Sequence, residues 1–183
     1  DRFNDGDPMN NRPVYDPELH PLANFMGGDV VGVTEKIKSG YFAELGINTI
    51  WLSPVIRNPD SAYREFIPPN RKFTGYHGYW PISPREIDER FGTEKDLQNL
   101  IDIAHKNNIR ILLDFVSNHT HEEHPYFKQH RDWYGKVTLP DGTINIRNWS
   151  KETMLTTWFD TFIPSIDYVS SQEAIDQVVE DAV

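Results

Sequence analysis

Two short apolar runs, Asn48-Thr-Ile-Trp-Leu-Ser53 and Arg110-Ile-Leu-Leu-Asp-Phe115, flank one amphipathic segment. Such runs suit strands buried in a parallel sheet, where both faces are covered. Between them Leu97, Leu100, Ile101 and Ala104 recur at i, i+3, i+4 and i+7, the apolar stripe of a helix. Thr93 stands as its N-cap with Asp96 three residues on, and Asn107 and Asn108 close it. Strand, helix, strand in this order predicts a right-handed crossover and a parallel α/β sheet. Upstream, Val33, Ile37, Phe42 and Leu45 line one side of a predicted helix over 33–45 that Gly46 terminates. That helix returns from a still earlier strand, lying before Asp1 or represented only by Arg2-Phe3.

The remaining segments read as long loops. Residues 1–29 are rich in Asp, Asn, Gly and Pro and predict an ordered loop. Residues 54–92 and 117–168 exceed ordinary connections, so each should carry function or small elements of its own, and 117–168 should form a subdomain. Near the end, Ser170 and Glu173 fit a capping box, and Ile175, Val178, Val179 and Val183 form a helical face. This pattern reaches the final residue without a stop signal. A chain beginning after a strand and ending inside a helix reads as cut from something longer.

Composition narrows the partners. A formal net charge of −10 repels phosphate backbones, which argues against nucleic acid. No apolar run approaches the roughly 20 residues of a membrane helix, so no membrane partner is expected. Cysteine is absent, which removes disulfides, thiol nucleophiles and Cys-based zinc sites. No signal peptide is visible, although the chain begins at Asp1 and a leader could have been removed.

Three clusters carry chemistry. In parallel α/β folds functional groups gather where strands end. The second strand ends in Asp114-Phe-Val-Ser-Asn118-His119, which offers an anionic acceptor, a neutral carbonyl ligand and a proton-bearing ring. On residues alone a strand-end Asp followed by an ordinary Asn-His turn explains it equally well. Gly75-Tyr76-His77-Gly78-Tyr79-Trp80 puts aromatic rings and an imidazole between flexible glycines. Flat apolar faces plus a hydrogen-bonding ring are what a pyranose needs, and a hairpin with aromatic packing is the plainer alternative. Asp5, Asp7, Asn10 and Asn11, with Gly27 and Asp29 further on, gather oxygen ligands suited to a hard cation such as Ca²⁺. The loop is not an EF-hand, because the central Gly is missing and Asp16 falls at the twelfth position. A metal-free Asx-turn loop has similar composition. His105 on the helix, and His121, His124 and His130 in a polar loop, carry no closed metal constellation. Trp133, Trp149 and Trp158 are expected in the subdomain core.

The segment Asp114 to His119 resembles the first signature region of the α-amylase superfamily of glycoside hydrolases, which includes cyclodextrin glucanotransferases and maltogenic amylases. Gly75 to Trp80 resembles the same enzymes' aromatic sugar-binding segment. Gly28-Asp29, Ile50-Trp-Leu-Ser-Pro54 and Phe91-Gly-Thr93 match in order, so the resemblance spans essentially the whole chain. It implies the N-terminal part of a TIM (β/α)8 barrel with a small inserted subdomain after the third strand. On this reading residues 1–119 are the first part of the barrel, 120–168 the subdomain, and 169–183 the start of the return.

The resemblance also implies roles. His119, His77, Tyr79 and Trp80 would bind sugar, Tyr79 stacking beneath the ring, and Asp114 would support the site. Asn118, and more loosely Asp167, would ligate a calcium between barrel and subdomain. Asp5, Asp7, Asn10, Asn11, Gly27 and Asp29 resemble a second calcium site. The implied partner is an α-1,4-linked glucan or maltooligosaccharide, and the implied location is secreted or periplasmic. Retaining hydrolysis needs two carboxylates across the bond; the family's Arg-x-Asp nucleophile motif and its acid/base Glu have no counterpart here. No catalytic residue is therefore expected within these 183 residues, which alone would be inactive. Open barrel edges should be covered by further chain or by self-association. A non-catalytic carbohydrate-binding module on the same scaffold, and a metal-dependent βαβ hydrolase using Asp114, Asn118 and His119, are the competing readings.

Overall fold

A computed structural model describes residues 1–183. The predicted strand–helix–strand unit is present: β1 (Thr49–Leu52) and β4 (Arg110–Leu113) pair in parallel, with Ile50 opposite Ile111 and Leu52 opposite Leu113. The connection holds a small antiparallel pair, β2 (Tyr63–Arg64) and β3 (Lys72–Phe73), and then α3 (Glu94–Lys106). The capping box of α3 forms as the sequence predicts. Thr93 Oγ1 accepts from Asp96 N–H, and Asp96 accepts from the Thr93 backbone N–H.

The predicted helix over 33–45 is instead two. α1 (Val30–Lys38) starts earlier because Asp29 caps it, its Oδ1 accepting from Gly32 N–H at 2.6 Å. Gly40 then takes φ +83°, a left-handed conformation that interrupts the helix before α2 (Tyr41–Glu44). No strand forms at Arg2-Phe3. The Arg2 guanidinium donates to the carbonyls of Leu22 and Asn24, and Phe3 stacks on Phe42.

The first core joins Val30, Val33 and Ile37 of α1 to Leu100 and Ala104 of α3 and to Ile109, with Ile50, Leu52 and Ile111 of the sheet packed against it. Full burial of Leu100 contributes about 1.5–3 kcal/mol. The expectation of fully buried strands is corrected: Trp51, Leu112 and Leu113 are exposed. One face of the two-stranded sheet meets the helices, and the other lacks a covering layer.

A second core gathers Phe127 of α4 (Pro125–Gln129) with Trp133, Tyr134, Trp158 and Ile166. Trp149 departs from its expected core position and is exposed. His121 and His124, expected in a polar loop, are buried, their rings packed among aromatics. α5 (Gln172–Asp181) is capped by Ser171, whose Oγ accepts from Ala174 N–H, and not by Ser170. The Ser170 N–H is turned to Asp167 Oδ1. α5 stops at Asp181, and Ala174 and Val178 face the second core while Val179 and Val183 are exposed. No helix is long and apolar enough to cross a membrane.

Candidate functional site

A third cluster, Trp80 with Phe162 and Ile163, packs with Tyr63 and Phe73, and beside it lies a cleft of about 460 Å³. The 75–80 segment reaches this place because Gly78, at φ +89°, lies against the loop that leaves β1. A Cβ there would come within 2.2 Å of the Pro54 carbonyl oxygen, so only glycine allows the approach. Buried Asn58 fixes the segment from behind, its Oδ1 accepting from Trp80 N–H at 2.9 Å.

His77, Tyr79, Trp80 and His119 all line the cleft. Trp80 lies mostly in the core, whereas Tyr79 is 40% exposed and offers a ring face. The Tyr79 phenol donates to Asp114 Oδ2 at 2.5 Å, and Asp114 directly follows β4. His119 Nε2 lies 2.8 Å from the Tyr79 carbonyl oxygen, which can only accept. The His119 proton is thereby assigned to Nε2, leaving Nδ1 to accept from Asn118 Nδ2 at 3.3 Å. His77 Nδ1 accepts from Tyr79 N–H at 3.0 Å, so its Nε2 carries the proton and makes no bond within the protein.

Burial sets the charge state of these rings. It pushes His77 down to about 4, with His119 nearby adding to the effect, and it also lowers His119. Both imidazoles are neutral near pH 7 and act as hydrogen-bonding rings. The hydrogen bond to Asp114 raises the Tyr79 phenol above its ordinary value, so it stays protonated.

Sequence reasoning did not find the opposite wall. Phe159, 45% exposed, lies nearly parallel to His119 with centroids 6.3 Å apart. The Arg147 guanidinium sits 4.8 Å from the Phe159 ring centre, and Glu65 enters from the β2–β3 hairpin. The triplet Trp158-Phe159-Asp160 carried an aromatic signal, but nothing local placed the hairpin beside it.

The N-terminal loop closes on Asp29. Its carboxylate accepts from the N–H groups of Gly6 at 3.2 Å and Asp7 at 2.9 Å and from Asn10 Nδ2 at 3.1 Å, besides capping α1. Asn11 Nδ2 donates to Asp5 at 2.7 Å, and Gly27, at φ +91°, leaves room for the Asn11 amide, whose Oδ1 a Cβ would meet at 2.4 Å. Asn10 Oδ1 is buried without any partner. A buried orphan carbonyl oxygen among carboxylates and amides fits a hard cation. No group of three or more His, Cys, Asp or Glu side chains is arranged for a metal, so any cation here would rest on amide and carbonyl oxygens as well.

Asn118 and Asp167 flank the antiparallel bridge of His119 with Ser165, where Ile166 N–H donates to the Asn118 carbonyl at 3.0 Å, and no hydrogen bond joins their side chains. Asp167 Oδ1 accepts from Val169 and Ser170 N–H, while its Oδ2 and Asn118 Oδ1 take no bond from the protein.

Residues 1–163 match the family described as alpha amylase, catalytic domain. A cyclomaltodextrin glucanotransferase from Thermoanaerobacterium thermosulfurigenes is 36% identical over 158 residues, covering 81% of this chain and 21% of that relative. The same enzyme from Paenibacillus macerans is 35% identical over 144 residues, covering 76% and 20%. An α-amylase structure from Anoxybacillus superposes with a TM-score of 0.73 at 30% identity, over 100% of this chain and 35% of that one. A γ-CGTase structure from alkalophilic Bacillus clarkii gives 0.71 at 25% identity, over 100% and 28%. The chain thus spans about a fifth of the length of these curated relatives.

Proposed function

This chain belongs to the α-amylase catalytic-domain family and carries part of its (β/α)8 barrel, and from that premise we propose that it serves a retaining α-glucan hydrolase or transglycosylase as the sugar-binding part of the active cleft. The observation that carries the proposal is the convergence of Tyr79, His77 and His119, from two distant segments, on one cleft at the carboxyl end of β1 and β4. An exposed aromatic face takes the apolar side of a pyranose, and the neutral His77 Nε2–H donates to a hydroxyl. The ligand class follows: an α-1,4-linked glucan or maltooligosaccharide. A polymeric glucan cannot cross a membrane unaided, which favours a secreted or periplasmic enzyme.

We place the bond-breaking carboxylates outside these residues. Glycoside hydrolysis needs a carboxylic acid with a raised pKa. Arg71 holds Glu65, at the cleft, below its ordinary value, and Asp160 is committed to the N–H groups of Phe66 and Thr161. Neither has the setting of a general acid. A cation such as Ca²⁺ would be held by Asp5, Asp7, Asn10, Asn11, Gly27 and Asp29, where the Asn10 orphan supports it, and a second by Asn118 and Asp167 through their unengaged oxygens. It would supply crosslinking of loop to barrel.

Titration of the protein with maltotriose, with cellotriose as the control, tests the proposal. Saturable binding of maltotriose alone is expected. Equal response to both, or to neither, would overturn it.

A further inference from the structure

Two charged side chains of the cleft have no role in the floor formed by Tyr79, His77 and His119. Glu65 is tightly placed by the hairpin: its Oε1 accepts from Arg71 N–H at 3.1 Å and Arg71 Nε at 2.9 Å, and its backbone N–H donates to the Arg71 carbonyl at 2.9 Å. The Glu65 side chain is only 11% exposed, yet Oε2 takes no bond from the protein. Arg147 is equally constrained. Its backbone adopts φ +50°, uncommon for a non-glycine residue, and Nε donates to the Phe159 carbonyl at 3.0 Å. Nη2 lies 3.4 Å from Asp160, the guanidinium packs over Phe159, and Nη1 is unbonded. Glu65 and Arg147 line the same cleft, so it presents one ionised acceptor and one planar donor held in place before any ligand arrives.

From this arrangement we infer that Glu65 and Arg147 form a second sugar subsite, binding the hydroxyls of a glucose unit other than the one stacked on Tyr79 and so setting the chain length the cleft prefers. Sugar hydroxyls suit both groups, one donating to Glu65 Oε2 and another accepting from Arg147 Nη1. Neither residue hydrogen-bonds to Tyr79, His77 or His119, so their ligand contacts are additional to the floor's. Arg71 and Arg147 keep the Glu65 carboxyl below its ordinary range, so it accepts from a hydroxyl without competing protonation near neutrality. The inference rests on the glucan reading of the cleft.

The experiment compares maltose and maltotetraose binding by calorimetry in the protein and in Glu65→Gln, Arg147→Lys and Tyr79→Ala. Losing one charge-assisted hydrogen bond should weaken maltotetraose about tenfold in Glu65→Gln while maltose changes less than about twofold. Arg147→Lys keeps the charge near Asp160 but loses the planar fork, and should give the same pattern. Tyr79→Ala should weaken both sugars. If Tyr79→Ala weakens both but the two charged-residue variants leave the maltotetraose-to-maltose ratio unchanged, the second subsite is refuted and the glucan reading stands. If Tyr79→Ala changes neither sugar, the glucan reading itself fails, and this inference with it.

Discussion

The Tyr79 phenol and the Asp114 carboxylate meet at 2.5 Å across 35 positions of sequence, tying the aromatic segment to the end of β4. Asp114 therefore fixes the stacking ring without itself lining the cleft. Asp114→Ala should weaken maltotriose about tenfold, whereas Asp114→Asn, which can still accept, should recover most of the loss. Calorimetric titration reads both; equal affinities in the two variants would break the link.

The buried Asn10 carbonyl oxygen predicts a response to Ca²⁺. Saturating Ca²⁺ should raise the thermal midpoint by several degrees, since a ligand binding only the folded state stabilises by mass action. Asn10→Ala should remove most of that rise, its calcium-free midpoint lying below the parent's because the Asn10 Nδ2 bond to Asp29 is lost. A rise of equal size in the variant would place the cation elsewhere.

Acid should destabilise the fold before carboxylates titrate. Burial depresses His77 to about 4, His121 to about 3 and His124 to about 4. His119 faces His77; Lys128, His124 and the Tyr63, Trp80 and Phe162 rings face His121; Asp181, which raises it slightly, faces His124. Unfolded, each histidine takes its proton near 6.5, so below that pH the unfolded chain binds more protons than the folded one. Stability should be flat above about 6.5 and fall as pH drops toward 4, by up to about 1.4 kcal/mol per pH unit per histidine. Urea denaturation at pH 7.5, 6 and 5 measures this. His121→Phe, which fits the aromatic cage and cannot titrate, should flatten the slope.

The exposed strand residues predict association. Trp51 and its partner Leu112 leave one apolar sheet face uncovered, and Leu113 and Phe115 are also exposed. The 183-residue chain should self-associate in light scattering, and Leu112→Lys should lower the apparent mass. A monodisperse monomer of the parent chain would contradict the prediction.

Local signals were legible where one short segment determined the outcome. The Thr93–Asp96 capping box, the stripe of α3 and the apolar runs of β1 and β4 needed no distant partner. Boundaries set by backbone conformation were missed: Gly40 breaks a stripe that looks continuous, and Ser171 displaces Ser170 because Asp167 engages the latter's N–H. Strand exposure was misjudged because apolar content does not say how many layers are present. Half of the cleft was visible in Gly75 to Trp80 and in His119. The other half, Glu65, Arg147 and Phe159, depends on a hairpin meeting the subdomain, and that is a tertiary contact no spacing records.

The central claim is that this cleft holds an α-glucan with Tyr79 beneath one of its rings. A crystal structure of the protein with maltotetraose tests it most directly. The account predicts a pyranose face stacked on Tyr79, a hydroxyl within hydrogen-bond reach of His77 Nε2, and a further unit contacting Glu65. Sugar bound away from Tyr79, with the cleft filled only by water, would contradict it.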